Sequence, residues 1–361
     1  MSRSVVVALS GGVDSSVAAA LLVEQGYAVS SVMLQLWAEP AVAAANLCCT
    51  PQAVDRARSL AQHLGIPFHL LDAREPFRRA VVDYFVAEYA AARTPNPCVR
   101  CNRDVRFPLL LQWAREQGAD FIATGHYARL RREEGVWQLL RGRDRTKDQS
   151  YMLHALRQEQ LARTLFPLGD LLKEEVRALA RQRGLPAADQ PESQDVCFLV
   201  DGDYRRFVAA RAPQAARPGP IVDRTGRLLG QHTGLVDYTI GQRKGIGVAA
   251  ASPLYVLALD PQRNALWVGP AEELGRAECV VNQMHYLSGV EPVEPFAATA
   301  QIRYRQRDVP VCATPLAAER LHVRFRSPQR GLTPGQYLVL YDGEVVVGGG
   351  AICASWEIVL Q

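Results

Sequence analysis

The feature that most constrains the fold is a short glycine- and serine-rich segment, Ser10–Ser16 (SGGVDSS), set between two apolar stretches of different periodicity. Before it, Ser4–Leu9 (SVVVAL) is a continuous run of largely β-branched residues, typical of a strand buried in a parallel sheet. After it, apolar residues at helical spacing continue to Gly26, a residue typical of a helix end. A strand, a glycine turn and a helix in this order predict the first unit of an α/β fold.

The same alternation continues through the first 125 residues. Strand-like runs lie at 29–34, 68–71 and 121–124, and helical stretches lie at 50–65, 75–92 and 104–117. Thr50 and Pro51 are typical of an N-cap and a first helical turn, and Gly65 is typical of a helix end. Repeated βα units predict a doubly wound parallel sheet, with its functional site at the carboxyl ends of the strands.

The pattern changes near residue 129. Runs at 129–132 and 136–141 predict a hairpin, helical stretches follow at 149–157 and 173–183, and a Pro- and Ala-rich segment at 212–220 predicts a linker. Short strand-like runs then lie at 255–259, 265–268, 298–304, 321–325, 337–341 and 345–347. They predict a small central β-rich module followed by a C-terminal β-barrel. We therefore predict three domains, at 1–203, 204–276 and 277–361.

Composition narrows the class of protein. The 361 residues are 48% hydrophobic with a net charge of +4, values typical of a globular chain with a sizeable core. No run of about 18 apolar residues occurs, so we expect no membrane span. The short apolar start does not resemble a signal peptide, so we expect a cytoplasmic location. Eight cysteines are too few for a disulfide scaffold at this length, and clustered cysteines in such a chain indicate catalysis or metal binding.

The segment Ser10–Ser16 is suited to hold phosphate. Its two glycines let the backbone approach a ligand, and the helix that follows presents unpaired N–H groups and a positive dipole. Asp14 can help to hold a magnesium ion. Neither the lysine of a Walker loop nor the G-x-G-x-x-G dinucleotide pattern is present. The alternative is a plain glycine turn with a serine cap, which the flanking strand and helix disfavour.

Further motifs follow in a fixed order. They are Thr94–Pro97 (TPNP), Cys101–Asn102 (CN), Ala123–Tyr127 (ATGHY), Lys147–Tyr151 (KDQSY), Ser193–Phe198 (SQDVCF), Tyr238–Gly245 (YTIGQRKG), Arg303–Arg305 (RYR) and Thr333–Gln336 (TPGQ). With the first loop they resemble the tRNA-specific 2-thiouridylases, of the PP-loop ATP pyrophosphatase superfamily with its adenine nucleotide alpha-hydrolase-like fold. The resemblance implies ATP-dependent 2-thiolation of the wobble uridine of tRNA. In that reaction the C2 oxygen is adenylated and replaced by sulfur, releasing AMP and pyrophosphate.

The resemblance also implies roles for single residues. ATP, with magnesium, is expected at Ala8, Leu9, Ser10, Gly11, Gly12, Val13, Asp14, Ser15, Leu34 and Gly125. tRNA is expected at Asn96, Pro97, Cys98, His126, Lys147, Asp148, Gln149, Arg303, Tyr304 and Gln336, with the target base at the first three. Cys101 is expected as the nucleophile and Cys197 as the persulfide carrier. The sulfur donor would be a cysteine desulfurase, a relay protein or hydrosulfide.

The residues themselves give separate support. Arg100, Arg103 and Arg106 flank Cys101 in what the sequence predicts to be a Pro-rich loop, and nearby cations favour a reactive thiolate; an inert buried thiol is the alternative. Between residues 303 and 330, seven arginines face two acidic residues, a local charge of +5 that suits RNA. A solvated basic strand is the alternative there. The remaining cysteines are interpreted as structural: Cys48, Cys49, Cys279, Cys312 and Cys353.

One position departs from the commoner family pattern, which has Asp where this chain has Cys98. The general-base role of that carboxylate is therefore not carried over. Cys98, Cys101 and Cys197 suit a [4Fe-4S] cluster with one open iron, which could bind hydrosulfide. The alternative keeps persulfide chemistry on Cys101 and Cys197, with Cys98 as a resolving thiol or a bystander. Two other functions stay open: another PP-loop adenylating enzyme, and a redox- or iron-sensing nucleotide-binding protein.

Overall fold

A computed structural model describes residues 2–39, 50–188, 196–199 and 202–353. In chain order its strands are β1 Ser4–Ala8, β2 Ala28–Gln35, β3 Phe68–Asp72, β4 Phe121–Ala123, β5 Ala128–Glu133, β6 Val136–Arg141, β7 Thr164–Leu165, β8 Gly219–Val222, β9 Leu228–His232, β10 Tyr255–Asp260, β11 Ala265–Gly269, β12 Arg276–Tyr286, β13 Phe296–Gln301, β14 Val309–Leu316, β15 Arg320–Gln329, β16 Tyr337–Asp342 and β17 Val345–Ile352. Its α-helices are α1 Val13–Glu24, α2 Pro51–His63, α3 Arg74–Phe77, α4 Asp83–Ala90, α5 Pro97–Cys101, α6 Phe107–Glu116, α7 Ser150–Leu153, α8 Gln158–Leu161, α9 Lys173–Gln182 and α10 Tyr204–Arg211.

The first sheet is parallel, in the order β3-β2-β1-β4-β7. Its central strand, β1, is buried on both faces. Val5 and Val7 belong to a core formed with α1, α2 and α9, whereas Val6 belongs to a second core with α6. Helices therefore cover both faces of the sheet, and the predicted doubly wound α/β domain is confirmed.

The helix that carries Cys98 and Cys101 begins earlier than the sequence predicts. We expected a helix from residue 104, but α5, a π-helical turn at Asn102–Arg106 and α6 form one helical run from Pro97. Asn96 caps it, because its Oδ1 accepts from the backbone N–H groups of Cys98 and Val99, each at 3.2 Å. Proline at the first position needs no N–H partner. The predicted Pro-rich loop around the cysteines is therefore wrong.

A second π-helical turn, Arg78–Val82, joins α3 to α4 within the predicted 75–92 helix. Two other predictions also need correction. The expected 149–157 helix is only the single turn α7, and the expected linker at 212–220 contains a 3₁₀ turn, Pro213–Ala216, and the start of β8. Proline and alanine suit a 3₁₀ turn as well as a linker, so composition alone does not separate the two.

The C-terminal strands close into a barrel. Six antiparallel strands follow the order β12-β15-β14-β13-β16-β17, and β17 pairs back with β12. Residues such as Val281, Val323 and Leu338 fill its interior. The predicted hairpin β5–β6 extends this sheet, because Leu140 pairs with Val345. A separate four-stranded sheet, β10-β11-β8-β9, lies between the first domain and the barrel in sequence. The predicted central module and barrel are confirmed.

The barrel and the first domain share a core. Tyr337, Val339 and Tyr341 of β16 are buried in the same cluster as Phe107 and Leu110 of α6. The Tyr151 hydroxyl donates to the Tyr337 carbonyl at 2.8 Å. The barrel is therefore packed against the domain that carries the glycine loop. Within the described ranges, no helix is both long and apolar enough to cross a membrane.

Candidate active site

The site lies where the chain leaves two neighbouring parallel strands. β1 and β4 are adjacent, and their connections run to opposite sides of the sheet, which is the position where α/β folds bind ligands. A cavity of about 260 Å³ opens there. It is lined by Ala8, Leu9, Ser10, Asp14, Ser15, Val32, Met33, Leu34, Leu36, Arg106, Thr124, Gly125, His126, Gln149 and Cys197. Ten of these fifteen are residues that the sequence predicts for the site, so distant motifs do converge.

Hydroxyl groups shape the glycine loop. Ser15 Oγ accepts from the Ser10 N–H at 3.2 Å, lies 3.1 Å from Ser10 Oγ and donates to the Gly12 carbonyl at 3.0 Å. Ser16 Oγ donates to the same carbonyl at 2.8 Å. Gly11 has φ +76°, a conformation that glycine adopts without strain. The loop is therefore held in a fixed shape at the amino end of α1.

Asp14, predicted to help with magnesium, already has two partners. Lys173 Nζ donates to both of its carboxylate oxygens, at 2.6 and 2.8 Å, and the Tyr127 hydroxyl donates to Oδ1 at 2.8 Å. Lys173 is buried at the start of α9. Lys173 could not be predicted from the sequence, because 159 residues separate it from Asp14. The missing Walker lysine was the available signal, since a phosphate loop without its own cation needs one from elsewhere.

Gly125 brings β4 against the loop. A Cβ at this position would lie 2.8 Å from the Ser15 nitrogen and 2.9 Å from the Asp14 carbonyl carbon. Both neighbours are backbone atoms, so no side chain could move aside. Glycine is therefore required here by the close approach of the two segments. Gly125 also lies in the cavity wall, and its predicted contact with the nucleotide stays a prediction.

His126 is buried beside Gly125, between a hydroxyl and a cation. Its Nδ1 lies 2.7 Å from Thr124 Oγ1, and its Nε2 lies 3.5 Å from Arg106 Nη1. Burial, with a smaller effect of the Arg106 charge, lowers the pKa of His126 to about 3. The ring is therefore neutral at physiological pH. The structure places His126 in the wall of this cavity, and its predicted contact with tRNA stays a prediction.

Burial and a nearby positive charge act in opposite directions on the pKa values of the two helix thiols, Cys98 and Cys101. Cys101 is buried and Cys98 is exposed. Loss of hydration raises the pKa of the Cys101 thiol. The pKa of the Cys98 thiol is also raised, to about 11, because the protein around this exposed residue still shields its thiol partly from water and because a negative charge on Cys101 adds to the effect. The Arg106 charge lowers the pKa of both thiols but does not overcome burial. The predicted lowering of the Cys101 pKa by flanking arginines is therefore not what the structure shows: of those three arginines, only Arg106 acts in that direction.

Cys197 lies in the cavity wall, and its side chain packs against the same hydrophobic cluster that contains Cys101. Three of the SQDVCF residues, Ser193–Asp195, lie outside the described residues, as do Cys48 and Cys49. In the part of the chain that the structure describes, no group of three His, Cys, Asp or Glu side chains is arranged to hold a metal ion. The described residues therefore give no support to an iron–sulfur cluster on Cys98, Cys101 and Cys197, and we derive no step through one.

The segment Lys147–Gln149 lies at the edge of the cavity, and two of its three side chains make hydrogen bonds within the protein. The Asp148 carboxylate is buried, accepts from Arg141 at 3.3 Å and also accepts from the Ser150 N–H and hydroxyl. Gln149 lines the cavity, and its Oε1 accepts from the Tyr127 N–H at 3.0 Å. Lys147 is half-buried. Two of these three predicted tRNA contacts therefore also hold the site together.

The three barrel residues predicted to bind tRNA have different surroundings. Arg303 donates to the Gly331 carbonyl from Nε and Nη2, at 3.2 and 2.8 Å. Tyr304 is half-buried, with its ring centroid 6.0 Å from that of Tyr151. Gln336 donates to the Thr94 and Pro95 carbonyls at 3.0 and 3.2 Å, which ties the barrel to the segment before Asn96. These contacts hold the barrel beside the thiols, and a role in tRNA binding stays a prediction for each.

A larger cavity, of about 1060 Å³, lies against a different face of the α5–α6 helix. Arg103, His154, His285 and Tyr337 are among its lining residues. None of the site residues predicted from the sequence lines it. Volume alone does not identify a site, and the convergence of the glycine loop, Gly125 and Cys197 places the candidate active site in the smaller cavity.

Comparison with known families covers almost the whole chain. The family described as tRNA methyl transferase HUP domain matches residues 3–201. The tRNA methyl transferase PRC-barrel domain matches residues 205–270, and the Aminomethyltransferase beta-barrel domain matches residues 276–352.

Two relatives that match this chain over almost their full length carry the same name. The tRNA-specific 2-thiouridylase MnmA of Roseiflexus castenholzii is 48% identical, over 96% of this chain and 98% of the relative. That of Moorella thermoacetica is 51% identical, also over 96% and 98%. Among solved structures, a 4-thiouridine synthetase–RNA complex with bound ATP is 17% identical, covers 58% of this chain and 50% of that one, and has a TM-score of 0.38. No conclusion rests on that structural likeness.

Proposed function

Because the chain belongs to the tRNA-specific 2-thiouridylase family, we propose that it replaces the C2 oxygen of the wobble uridine in tRNA with sulfur, using ATP. The enzyme is a tRNA sulfurtransferase that releases AMP and pyrophosphate. A tRNA substrate also fits the predicted cytoplasmic location. The other adenylating enzymes and the nucleotide-binding sensor considered above do not explain relatives of one name over almost the full length.

The observation that carries the proposal is that one cavity joins a phosphate loop to a thiol. Ser10 and Ser15 form one part of its wall and Cys197 another. Cys101 packs in the hydrophobic cluster against which Cys197 also lies. An enzyme that activates an oxygen with ATP and then displaces it with sulfur needs these two groups within reach of one base.

The chemistry follows from these parts. The uridine O2 attacks the α-phosphorus of ATP, pyrophosphate leaves, and the N3 proton is lost to solvent. The terminal sulfur of a Cys197 persulfide then attacks C2, and the C2–O bond breaks with its electron pair leaving on AMP. The Cys101 thiolate attacks Cys197 Sγ, the S–S bond of the persulfide breaks, and its electrons leave on the sulfur now bonded to C2. N3 regains a proton, and an external dithiol reduces the Cys101–Cys197 disulfide.

The ATP partners assigned from the family motif are proposed on the same basis: Ala8, Leu9, Ser10, Gly11, Gly12, Val13, Asp14, Ser15, Leu34 and Gly125. Magnesium enters with ATP, because Mg²⁺ is commonly bound through substrate phosphates and one or two carboxylates. Asp14 is the carboxylate in the cavity wall, and it would have to exchange its Lys173 contact to bind the ion.

The protein surface for tRNA is proposed in two parts. One part is the capped helix start, where Asn96, Pro97 and Cys98 face the target base. The other comprises Lys147–Gln149 and the barrel residues Arg303, Tyr304 and Gln336. We keep the three domains at 1–203, 204–276 and 277–361; the central module is also proposed to bind tRNA, although no single residue is assigned there. The sulfur donor is a persulfide-forming cysteine desulfurase or a relay protein, whose persulfide passes its outer sulfur to the Cys197 thiolate. Hydrosulfide serves only by attacking Cys197 Sγ of the Cys101–Cys197 disulfide, which forms the Cys197 persulfide and releases the Cys101 thiolate.

The experiment supplies unmodified tRNA, ATP, a cysteine desulfurase with cysteine as the persulfide source, and a dithiol, and it measures AMP and 2-thiouridine. We expect equal amounts of both products, and AMP only when tRNA is present. Cys101→Ser and Cys197→Ser should make no 2-thiouridine, whereas Cys312→Ser, on the barrel strand β14, should match the wild type. AMP release that does not depend on tRNA would rule out the proposed function.

A further inference from the structure

Arg106 lies where the nucleotide cavity meets the two helix thiols. It ends the π-helical turn that directly follows Cys101, and it lines the cavity with Ser15 and Cys197. It is also close enough to Cys98 and Cys101 for its charge to act on both. π-helical turns are often found at functional sites, because they re-aim the side chains of the next turn.

Two side chains orient its guanidinium group. Arg106 Nη1 donates to Asn102 Oδ1 at 3.1 Å and to His126 Nε2 at 3.5 Å. Arginine has no acceptor, so Nε2 of the neutral imidazole must accept, and the ring proton is on Nδ1. That Nδ1–H donates to Thr124 Oγ1 at 2.7 Å. Asn102 is anchored in turn by its donation to the Met152 carbonyl at 3.1 Å. The guanidinium group is therefore held from one side by a connected network.

The reaction requires an anion at this place. The base must present O2 to the α-phosphorus in the first step and C2 to a sulfur in the second, so the α-phosphate lies between the glycine loop and the thiols. When the C2–O bond breaks, its electron pair stays on the departing oxygen and adds negative charge to AMP. A planar guanidinium group matches two phosphate oxygens, and a donor fixed in advance stabilises such charge effectively.

We propose that Arg106 binds the α-phosphate of ATP and then the phosphate of the departing AMP, with Asn102 and His126 as its positioning residues. This inference rests on the proposed function. It gives His126 a reason to be buried and neutral, because a protonated ring would repel the guanidinium group and lose its acceptor. It also gives Arg106 a role that Arg100 and Arg103 cannot share, because those two residues line the larger cavity on the other face of the helix.

The test compares the two diastereomers of α-thio-ATP in single-turnover thiolation of unmodified tRNA. In the wild type, we expect the diastereomer with sulfur in place of the contacted oxygen to react more slowly. Arg106→Gln should lower the rate with ATP by roughly 100-fold, as is usual for loss of one oxyanion donor. It should also abolish the difference between diastereomers, because two changes at one contact are not additive. Arg106→Lys should recover part of the rate.

Arg115→Gln is the matched control, since Arg115 is near the exposed end of the same helix and should keep both the rate and the diastereomer difference. If Arg106→Gln keeps the full diastereomer difference, Arg106 does not contact the α-phosphate and the inference is wrong. If Arg106→Gln does not fold, Arg106→Met takes its place, and the loss or persistence of the diastereomer difference in that variant decides in the same way. A wild type that makes no 2-thiouridine would overturn the proposed function itself.

Discussion

The residues of this site are each held by a specific partner. Lys173 is the clearest case, because a buried ammonium group contacts both oxygens of Asp14 across 159 residues of sequence. Burial of an ion pair is favourable only when both charges stay compensated, so loss of one partner has a cost that loss of both does not. The pair therefore gives a way to separate stability from catalysis.

We predict that Lys173→Met destabilises the protein by about 1–3 kcal/mol, because it leaves the Asp14 carboxylate without its charged partner. The double variant Lys173→Met/Asp14→Asn should recover most of that stability in a urea titration. Both variants should nevertheless fail to release AMP at saturating ATP. Full activity in the double variant would show that the pair is only structural.

Cys98 is the residue at which the sequence and the structure differ most. The sequence favours a cluster ligand, whereas no metal-holding group is found in the described ranges. We predict that Cys98→Ser and Cys98→Asp keep 2-thiouridine formation within about threefold of the wild type, a change below 1 kcal/mol in barrier height. Anaerobically purified wild type should contain no stoichiometric iron. If the wild type binds about four iron atoms per chain, and Cys98→Ser loses both that iron and the activity, the cluster interpretation is correct after all.

At the scale of elements, the site depends on close approach between the first turn of α1 and the end of β4. Gly125 has no room for a Cβ against the backbone of Asp14 and Ser15. The helix from Pro97 depends instead on local features. The Asn96 cap and the proline fix where the helix begins, and this sets the positions of Cys98 and Cys101 on it. The first feature joins segments that are distant in sequence and the second is local, and each positions a group of the candidate site.

We predict that Gly125→Ala lowers AMP formation at least 100-fold, because the added methyl group displaces the phosphate loop, and misplacement of about 1 Å has this effect. Gly26→Ala is the control for stability. Gly26 has φ +81° with open space around its Cβ position, so alanine there should cost about 1 kcal/mol of stability and leave activity unchanged. Equal activity in both variants would contradict the close-approach argument.

At the scale of the whole molecule, the barrel residues are expected to track the tRNA backbone. We predict that tRNA affinity falls with salt, and that Arg305→Gln lowers the log–log salt slope by roughly 0.7–0.9 without changing tRNA preference. Arg303 and Arg305 are both exposed, but Arg303 also donates to the Gly331 carbonyl. Arg303→Gln should therefore also lower the melting temperature. A salt slope near zero for the wild type would show that this basic surface does not bind the tRNA backbone.

Much of this architecture follows from sequence patterns with a local cause. The Val-rich first strand, the Gly26 and Gly65 helix ends and the hairpin near Glu134 are confirmed, because each depends on neighbouring residues. The helix start at Pro97 was missed, because Asn96 followed by proline resembles a loop as much as a cap. Lys173 and the Arg106–His126 contact were missed because only the folded chain brings them together.

The central claim is that the C2 oxygen of the uridine leaves on AMP. The direct measurement uses tRNA with ¹⁸O at C2 of the wobble uridine, together with ATP, a persulfide source and a dithiol, followed by mass spectrometry of AMP. The account predicts one ¹⁸O atom in the AMP phosphate for each 2-thiouridine formed. Recovery of the ¹⁸O in water, with unlabelled AMP, would contradict adenylation of the base.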